Sequence, residues 1–221
     1  MTKLAIFDCD GTLVDSGTTI HSALAETFEL HGVALPPPRE CRKVIGLSLI
    51  QAMGALAPDA AESDHFQLAE TYKTCFHRAR REGRVEEPLF DGIIDLLDTL
   101  ESNGWLLAVA TGKSDRGLRL CLESHGLHDR FVSLQTADRH PSKPAPQMAL
   151  AAMADAGAAP GRTIVIGDTS FDMGMAVAAG ATGIGAGWGY HEPEELLAAG
   201  ARAVADAPAD VAAIAEDAID G

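Results

Sequence analysis

The chain has 221 residues, 47% of them hydrophobic, enough to bury a full core and to exclude a disordered polymer. Its 17 Lys and Arg stand against 32 Asp and Glu, a formal charge of −15, and only 5% of residues are aromatic. That balance repels phosphate backbones and anionic membranes and leaves few platforms for stacked bases, so neither nucleic-acid nor membrane binding is expected.

No apolar run approaches the roughly 20 residues of a membrane-spanning helix, and the first residues lack a basic-then-apolar leader, so a cytoplasmic protein is expected. In chain order, Leu4 to Phe7 reads as a buried strand that runs into Asp8-Cys9-Asp10-Gly11-Thr12. The character then changes. Thr18 to His31, Ser48 to Ala57 and Ser63 to Arg81 carry apolar residues at three- and four-residue steps, the period of helices, with breaks at Pro36-Pro37-Pro38 and Ala57-Pro58. This stretch also inverts the charge balance: Arg39 to Arg84 holds 8 basic residues against 6 acidic ones.

Beyond it, strands alternate with helices. A helical pattern over Gly92 to Ser102 precedes the strand Leu106 to Ala110, which ends in Thr111-Gly112-Lys113. Asp115 to His125 is helical, Phe131 to Gln135 a weaker strand, and Lys143-Pro144 leads into a helix over Pro146 to Gly157. The Ala-rich run from Ala149 to Ala159 reads as a tightly packed helix. Thr163 to Ile166 is a third strong strand, ending in Gly167-Asp168-Thr169-Ser170-Phe171-Asp172, and Thr182 to Ala186 and Ala201 to Ala205 are weaker ones. The expected fold is α/β, a doubly wound parallel sheet of Rossmann type with an inserted all-helical cap: a core of residues 1–15 and 86–221, and a cap of residues 16–85. The four cysteines, Cys9, Cys41, Cys75 and Cys121, show no metal-ligand spacing and read as buried thiols.

A doubly wound sheet places its chemistry at the carboxyl ends of its strands, and those ends here hold Asp8 and Asp10, Thr111, Lys143 ahead of a helix, and Asp168 with Asp172. In that order these residues resemble the haloacid dehalogenase superfamily, most closely its phosphoglycolate-phosphatase-like branch with a helical cap, and the match covers essentially the whole chain. The resemblance implies that Asp8 is a nucleophile and Asp10 a general acid and base. Thr111, with Gly112, and Lys143 would hold phosphoryl oxygens. Mg2+ would be bound by Asp8, Asp168 and the backbone carbonyl of Asp10, with support from Asp172.

These residue types suit the chemistry. A hard cation relieves the repulsion between a carboxylate nucleophile and a phosphate dianion, and an aspartyl-phosphate divides one hard displacement into two easier ones. Asp10 has to carry a proton when substrate arrives, which the neighbouring Asp8 and Asp168 would favour and Lys143 would in part oppose. The expected activity is hydrolysis of a small phosphorylated metabolite. Two alternatives stand beside it, a β-phosphoglucomutase-like phosphosugar mutase and a non-catalytic phosphometabolite-binding module.

Other readings are plainer. Asp172 and Asp15 also fit helix-capping positions. Lys113, beside the motif but outside it, reads as a solvated lysine. In the cap, the turn Ile45-Gly46-Leu47-Ser48 is expected to face the crevice, with Gly46 and Ser48 selecting the leaving group. Arg42, with Lys43, either reaches a substrate anion or is solvated. Arg78, Arg80, Arg81 and Arg84 read as a solvated helix face, and His21, His65 and His77 as surface or packing residues.

Overall fold

The structure is a computed structural model that describes residues 1–220. Its elements run β1 (Lys3–Phe7), α1 (Gly17–Leu30), α2 (Pro38–Lys43), α3 (Leu49–Leu56), α4 (Glu62–Arg81), α5 (Ile93–Ser102), β2 (Trp105–Thr111), α6 (Asp115–Ser124), β3 (Phe131–Thr136), α7 (Gln147–Ala156), β4 (Thr163–Gly167), α8 (Ser170–Ala179), β5 (Thr182–Ala186), α9 (Pro193–Ala198), β6 (Ala201–Ala205) and α10 (Pro208–Asp220). The six strands form one parallel sheet in the order β3-β2-β1-β4-β5-β6. The order reverses between β1 and β4, where the two halves of the sheet diverge and open a crevice at the carboxyl ends of these strands.

Alternation along β1 explains how the sheet is covered. Ala5 and Phe7 point to one face, where they join Leu96, Leu97 and Leu100 of α5 and Val211 and Ala215 of α10 in one cluster. Leu4 and Ile6 point to the other face, against Met148, Ala149 and Ala152 of α7 and Met175 and Ala176 of α8. The second face is built of small and flexible side chains, so α7 lies close on the sheet, as its Ala-rich sequence leads one to expect. A third cluster, with Leu24, Phe28, Cys41, Met53, Leu56 and Leu68, joins α1, α2, α3 and α4 and gives the inserted helices a core of their own.

The strands fall within two residues of their expected limits, but the helices differ in number. The triple proline does not end the helical region; Pro38 opens the short helix α2, where its missing N–H leaves nothing unpaired. Helices α8, α9 and α10 follow the last strong strand, where the sequence marks only a capping position at Asp172. Gly174 and a run of alanines blur the apolar period of α8, and its start is set by side chains instead: Thr169 accepts from the backbone N–H of Asp172, whose own carboxylate accepts from the Thr169 N–H. All four cysteines are free and buried, and among the described residues no helix is long and apolar enough to cross a membrane.

Candidate active site

The crevice at the switch point gathers the strand-end residues. Asp8 follows β1 and is tied to the sheet by its backbone N–H, which donates to Ile166 O at 2.9 Å. Asp168 follows β4, and Asp172 lies in the first turn of α8. Each of the three offers a carboxylate oxygen within 4.8 Å of the others, and all three are buried. Lys143 is the cation that touches this group: its fully buried Nζ lies 2.9 Å from Asp8 Oδ1 and 2.6 Å from Asp172 Oδ1.

The oxygens of these carboxylates are unevenly occupied. Asp168 Oδ1 accepts from Thr12 Oγ1 at 2.8 Å, and its Oδ2 accepts from the Tyr190 N–H at 3.0 Å. Asp172 gives one oxygen to Lys143 and the other to the N–H and hydroxyl of Thr169. Asp8 Oδ1 accepts from the Cys9 N–H and from Lys143, while Asp8 Oδ2 is buried with no hydrogen-bond partner. An unpaired carboxylate oxygen in a dry site is costly.

Electrostatics records the same shortage of positive charge. Burial pushes the Asp8 carboxyl up to about 7 even though Lys143 opposes it, and Asp172 adds to the rise. Burial followed by the charges of Asp172 and Asp8 drives Asp168 well above the usual carboxylate range, against the Thr12 and Tyr190 hydrogen bonds. For Lys143 burial works against the charge, but Asp172 and Asp8 override it and hold the ammonium well above the ordinary lysine range. Three hard oxygen donors with one cation among them, and one oxygen left bare, suit Mg2+. Asp168 and Asp172 each have both oxygens engaged, so among these carboxylates Asp8 Oδ2 is the oxygen most open to a cation, while Asp172 also holds Lys143. Its place in the capping arrangement of α8 and its contact with Lys143 are compatible, because each uses a different oxygen.

Asp10 stands differently. The charge it touches is Lys113, whose Nζ is 2.8 Å from Asp10 Oδ1, and Ser16 Oγ donates to the same oxygen. Lys113 is also not the solvated lysine expected from its position: its side chain is only 9% exposed and its Nζ bridges Asp10 to Glu87 Oε1, also at 2.8 Å. Glu87, 8% exposed, in turn accepts from Arg80 at 2.7 Å. Arg80 therefore leaves the solvated face to which it was assigned, and Arg78 pairs with Glu26, while Arg81 and Arg84 are exposed. The reason is the return of the chain after α4, which carries Glu87 back beneath that helix. Neither Lys113 nor Glu87 carries a local signal of this pairing, since their only mark in the sequence is adjacency to Thr111 and to the end of the insert.

Thr111 ends β2 buried, and Gly112 lies directly under the turn 45–48: a Cβ on Gly112 would meet Leu47 O at 2.5 Å and Gly46 O at 2.8 Å. That turn needs Gly46, whose φ is +97°, and a Cβ built there would lie 3.7 Å from Asp8 Oδ2. Ser48 N–H donates to Ser142 Oγ at 2.7 Å. Gly46 and Ser48 thus sit at the crevice. Arg42 does not: it is exposed on α2 and outside the cavity, because the buried residue of that short helix is Cys41 and Arg42 follows it onto the outer side. Lys43 pairs with Glu195 at 3.4 Å across the two parts of the chain. Asp15 is an exposed turn residue accepting from the Gly17 N–H. His65 bonds Ala57 O, as a packing histidine does. A cavity of about 500 Å³ opens beside Asp10, Gly46, Gly112 and Lys113.

Comparison with known proteins agrees with this fold. The sequence model described as haloacid dehalogenase-like hydrolase matches residues 5–186. A protein named probable phosphatase IndB from Dickeya dadantii is 34% identical over 96% of this chain and 92% of its own. A phosphoglycolate phosphatase from Agrobacterium fabrum is 31% identical over 87% of this chain and 83% of its own. A hydrolase of known structure from Pseudomonas syringae superposes with a TM-score of 0.84 at 27% identity, covering 98% of this chain and 99% of its own. A match that begins in β1, ends with β5 and spans every strand-end carboxylate of the crevice makes this chain a member of the haloacid dehalogenase-like hydrolase family.

Proposed function

We propose that the protein is a Mg2+-dependent phosphatase that hydrolyses a small phosphorylated metabolite through an aspartyl-phosphate on Asp8. The observation that carries this reading is the bare, buried Oδ2 of Asp8 beside Lys143 and Asp168. Residues 1–15 and 86–221 would form the catalytic core and residues 16–85 a cap over it. Asp8, Asp168 and the Asp10 carbonyl would hold Mg2+, whose contribution when bound is to neutralise charge between the carboxylates and the phosphoryl oxygens.

The remaining steps belong to the chain. Thr111 and the Gly112 N–H orient the phosphoryl group, and Lys143, itself oriented by Asp172, adds a fixed positive charge to it. The Asp8 carboxylate attacks phosphorus in line as the bond to the leaving alkoxide breaks. Asp10, with Lys113 and Ser16 both on Oδ1, passes a proton from Oδ2 to that alkoxide. Asp10 then takes a proton from water, which attacks the aspartyl-phosphate and releases inorganic phosphate and free Asp8. The turn 45–48, seated on Gly112 and Ser142, excludes bulk water.

Release of phosphate from an aryl phosphate tests this directly. The wild type turns over with Mg2+ and stops on chelation, and folded Asp8→Asn is inactive; undiminished turnover by that variant, or in chelator, refutes the mechanism. Free phosphate, rather than an isomeric sugar phosphate, as the product of a sugar 1-phosphate separates a hydrolase from a mutase.

A further inference from the structure

The cavity of about 500 Å³ beside Asp10 is where the alcohol half of a phosphate ester held at Asp8 would project. Its size is that of pockets that enclose a whole small molecule, far more than a two-carbon group fills. Much of its lining is apolar. Ile20 comes from α1, Leu47 and Leu49 from the turn 45–48 and the start of α3, Tyr72 and Phe76 from α4, and Leu120 from α6. Tyr72 and Phe76 form a continuous aromatic wall, their ring centroids 5.8 Å apart and their planes tilted by 35°.

Most charged and titratable groups that line this cavity already have partners, Asp138 accepting from the Asp115 N–H and His140 bonded to Gln135 among them. Lys113 is held by Asp10 and Glu87, and Arg80 by Glu87. Lys73 pairs with Glu70 on the outer surface, and Arg116 and His77 are exposed at the cavity's rim, where water screens them. A carboxylate close to the phosphate would find no uncommitted buried counter-charge, and a polyol could pair its hydroxyls with Ser48, Gln51, Ser114 and Ser142 but not along Ile20, Leu49, Phe76 and Leu120. An apolar ring would bury its surface without such a cost.

Building on the phosphatase reading, we propose that the preferred substrates are monophosphates of ring-bearing, largely apolar alcohols, not phosphoglycolate or sugar phosphates. The ring would lie against Tyr72 and Phe76, and the phosphate-bearing carbon would face Asp10.

The test compares kcat/KM of the wild-type protein with Mg2+ for benzyl phosphate, 2-phosphoglycolate and glycerol 3-phosphate, all esters of primary alcohols. Benzyl phosphate is expected to exceed both of the others by roughly ten- to hundredfold, the value of burying one ring. Phe76→Ala is expected to raise KM for benzyl phosphate by a larger factor than KM for glycerol 3-phosphate, and an equal rise for both would overturn the ring assignment. If phosphoglycolate or glycerol 3-phosphate is hydrolysed as well as benzyl phosphate, the substrate class is wrong and the phosphatase reading stands. If none of the three, nor an aryl phosphate, releases phosphate, both fall. The wild-type comparison decides the matter even if Phe76→Ala does not fold.

Discussion

Replacing Glu87 by Gln keeps the shape of the side chain and removes its charge from the middle of the chain Asp10–Lys113–Glu87–Arg80. Glu87 accepts one charge-assisted hydrogen bond from Lys113 at 2.8 Å and one from Arg80 at 2.7 Å. Such bonds contribute about 1.5–3 kcal/mol each, so the ceiling for losing both is about 6 kcal/mol. Two facts lower it: Lys113 keeps its contact with Asp10, and the Arg80 side chain, 24% exposed, can recover water. The expected loss in unfolding free energy is therefore about 2–4 kcal/mol at neutral pH, which for a domain of this size lowers Tm by roughly 5–15 °C. Urea unfolding of wild type and variant between pH 7 and pH 4 measures it.

The pH dependence follows from the sign of the Glu87 shift. Burial alone would push its carboxyl up, but Lys113 and Arg80 overcome burial and hold it below the usual glutamate range. A carboxyl lower in the folded than in the unfolded chain contributes stability that is fully present above its unfolded pKa, about 4.3, and is lost as pH falls through the folded value. The difference between wild type and Glu87→Gln should therefore narrow as pH falls below about 4.5. A gap under about 0.5 kcal/mol at pH 7, or one that widens toward acid, would mean that this buried chain of charges does not hold the insert to the core.

The carboxylates of the crevice predict the opposite pH trend. Burial raises Asp8 to about 7 and lifts Asp168 well above the usual carboxylate range, so without a cation they contribute stability below about pH 4 that is lost as pH rises through their folded values. Mg2+ competes with those protons, so the Tm increase on adding Mg2+ should grow from pH 5.5 to pH 8 and largely vanish in Asp8→Asn; an equal increase at both pH values refutes the assignment. Gly112→Ala would place a Cβ 2.5 Å from Leu47 O and force the turn 45–48 away from the crevice. The expected result is a folded protein with kcat/KM reduced by up to about a hundredfold, and unchanged kinetics would show that the turn need not sit there.

Much of the molecule is written locally in its sequence. Short apolar runs ending in Asp8, Thr111 and Asp168 specify buried strands, and parallel strands with intervening helices can close only with these ends at one edge of the sheet, so convergence of the carboxylates follows from order alone. The period of α1, α3 and α4 is likewise local, and their shared cluster follows from it. The identity of charge partners is not local. Lys113 and Glu87 are separated by α5 and β2, and only the packed chain brings them to 2.8 Å and seals them from water. The exposure of Arg42, one residue after buried Cys41, depends on how a six-residue helix lies on its neighbours, and a single turn of helix carries too little periodicity to orient itself. The sequence by itself determined which acids stand at the strand ends, because strand patterning and chain order are short-range properties. Tertiary structure alone decided that Lys113, and not a solvated lysine, answers Asp10, because an ion pair forms between distant residues and its strength depends on burial that no one segment sets.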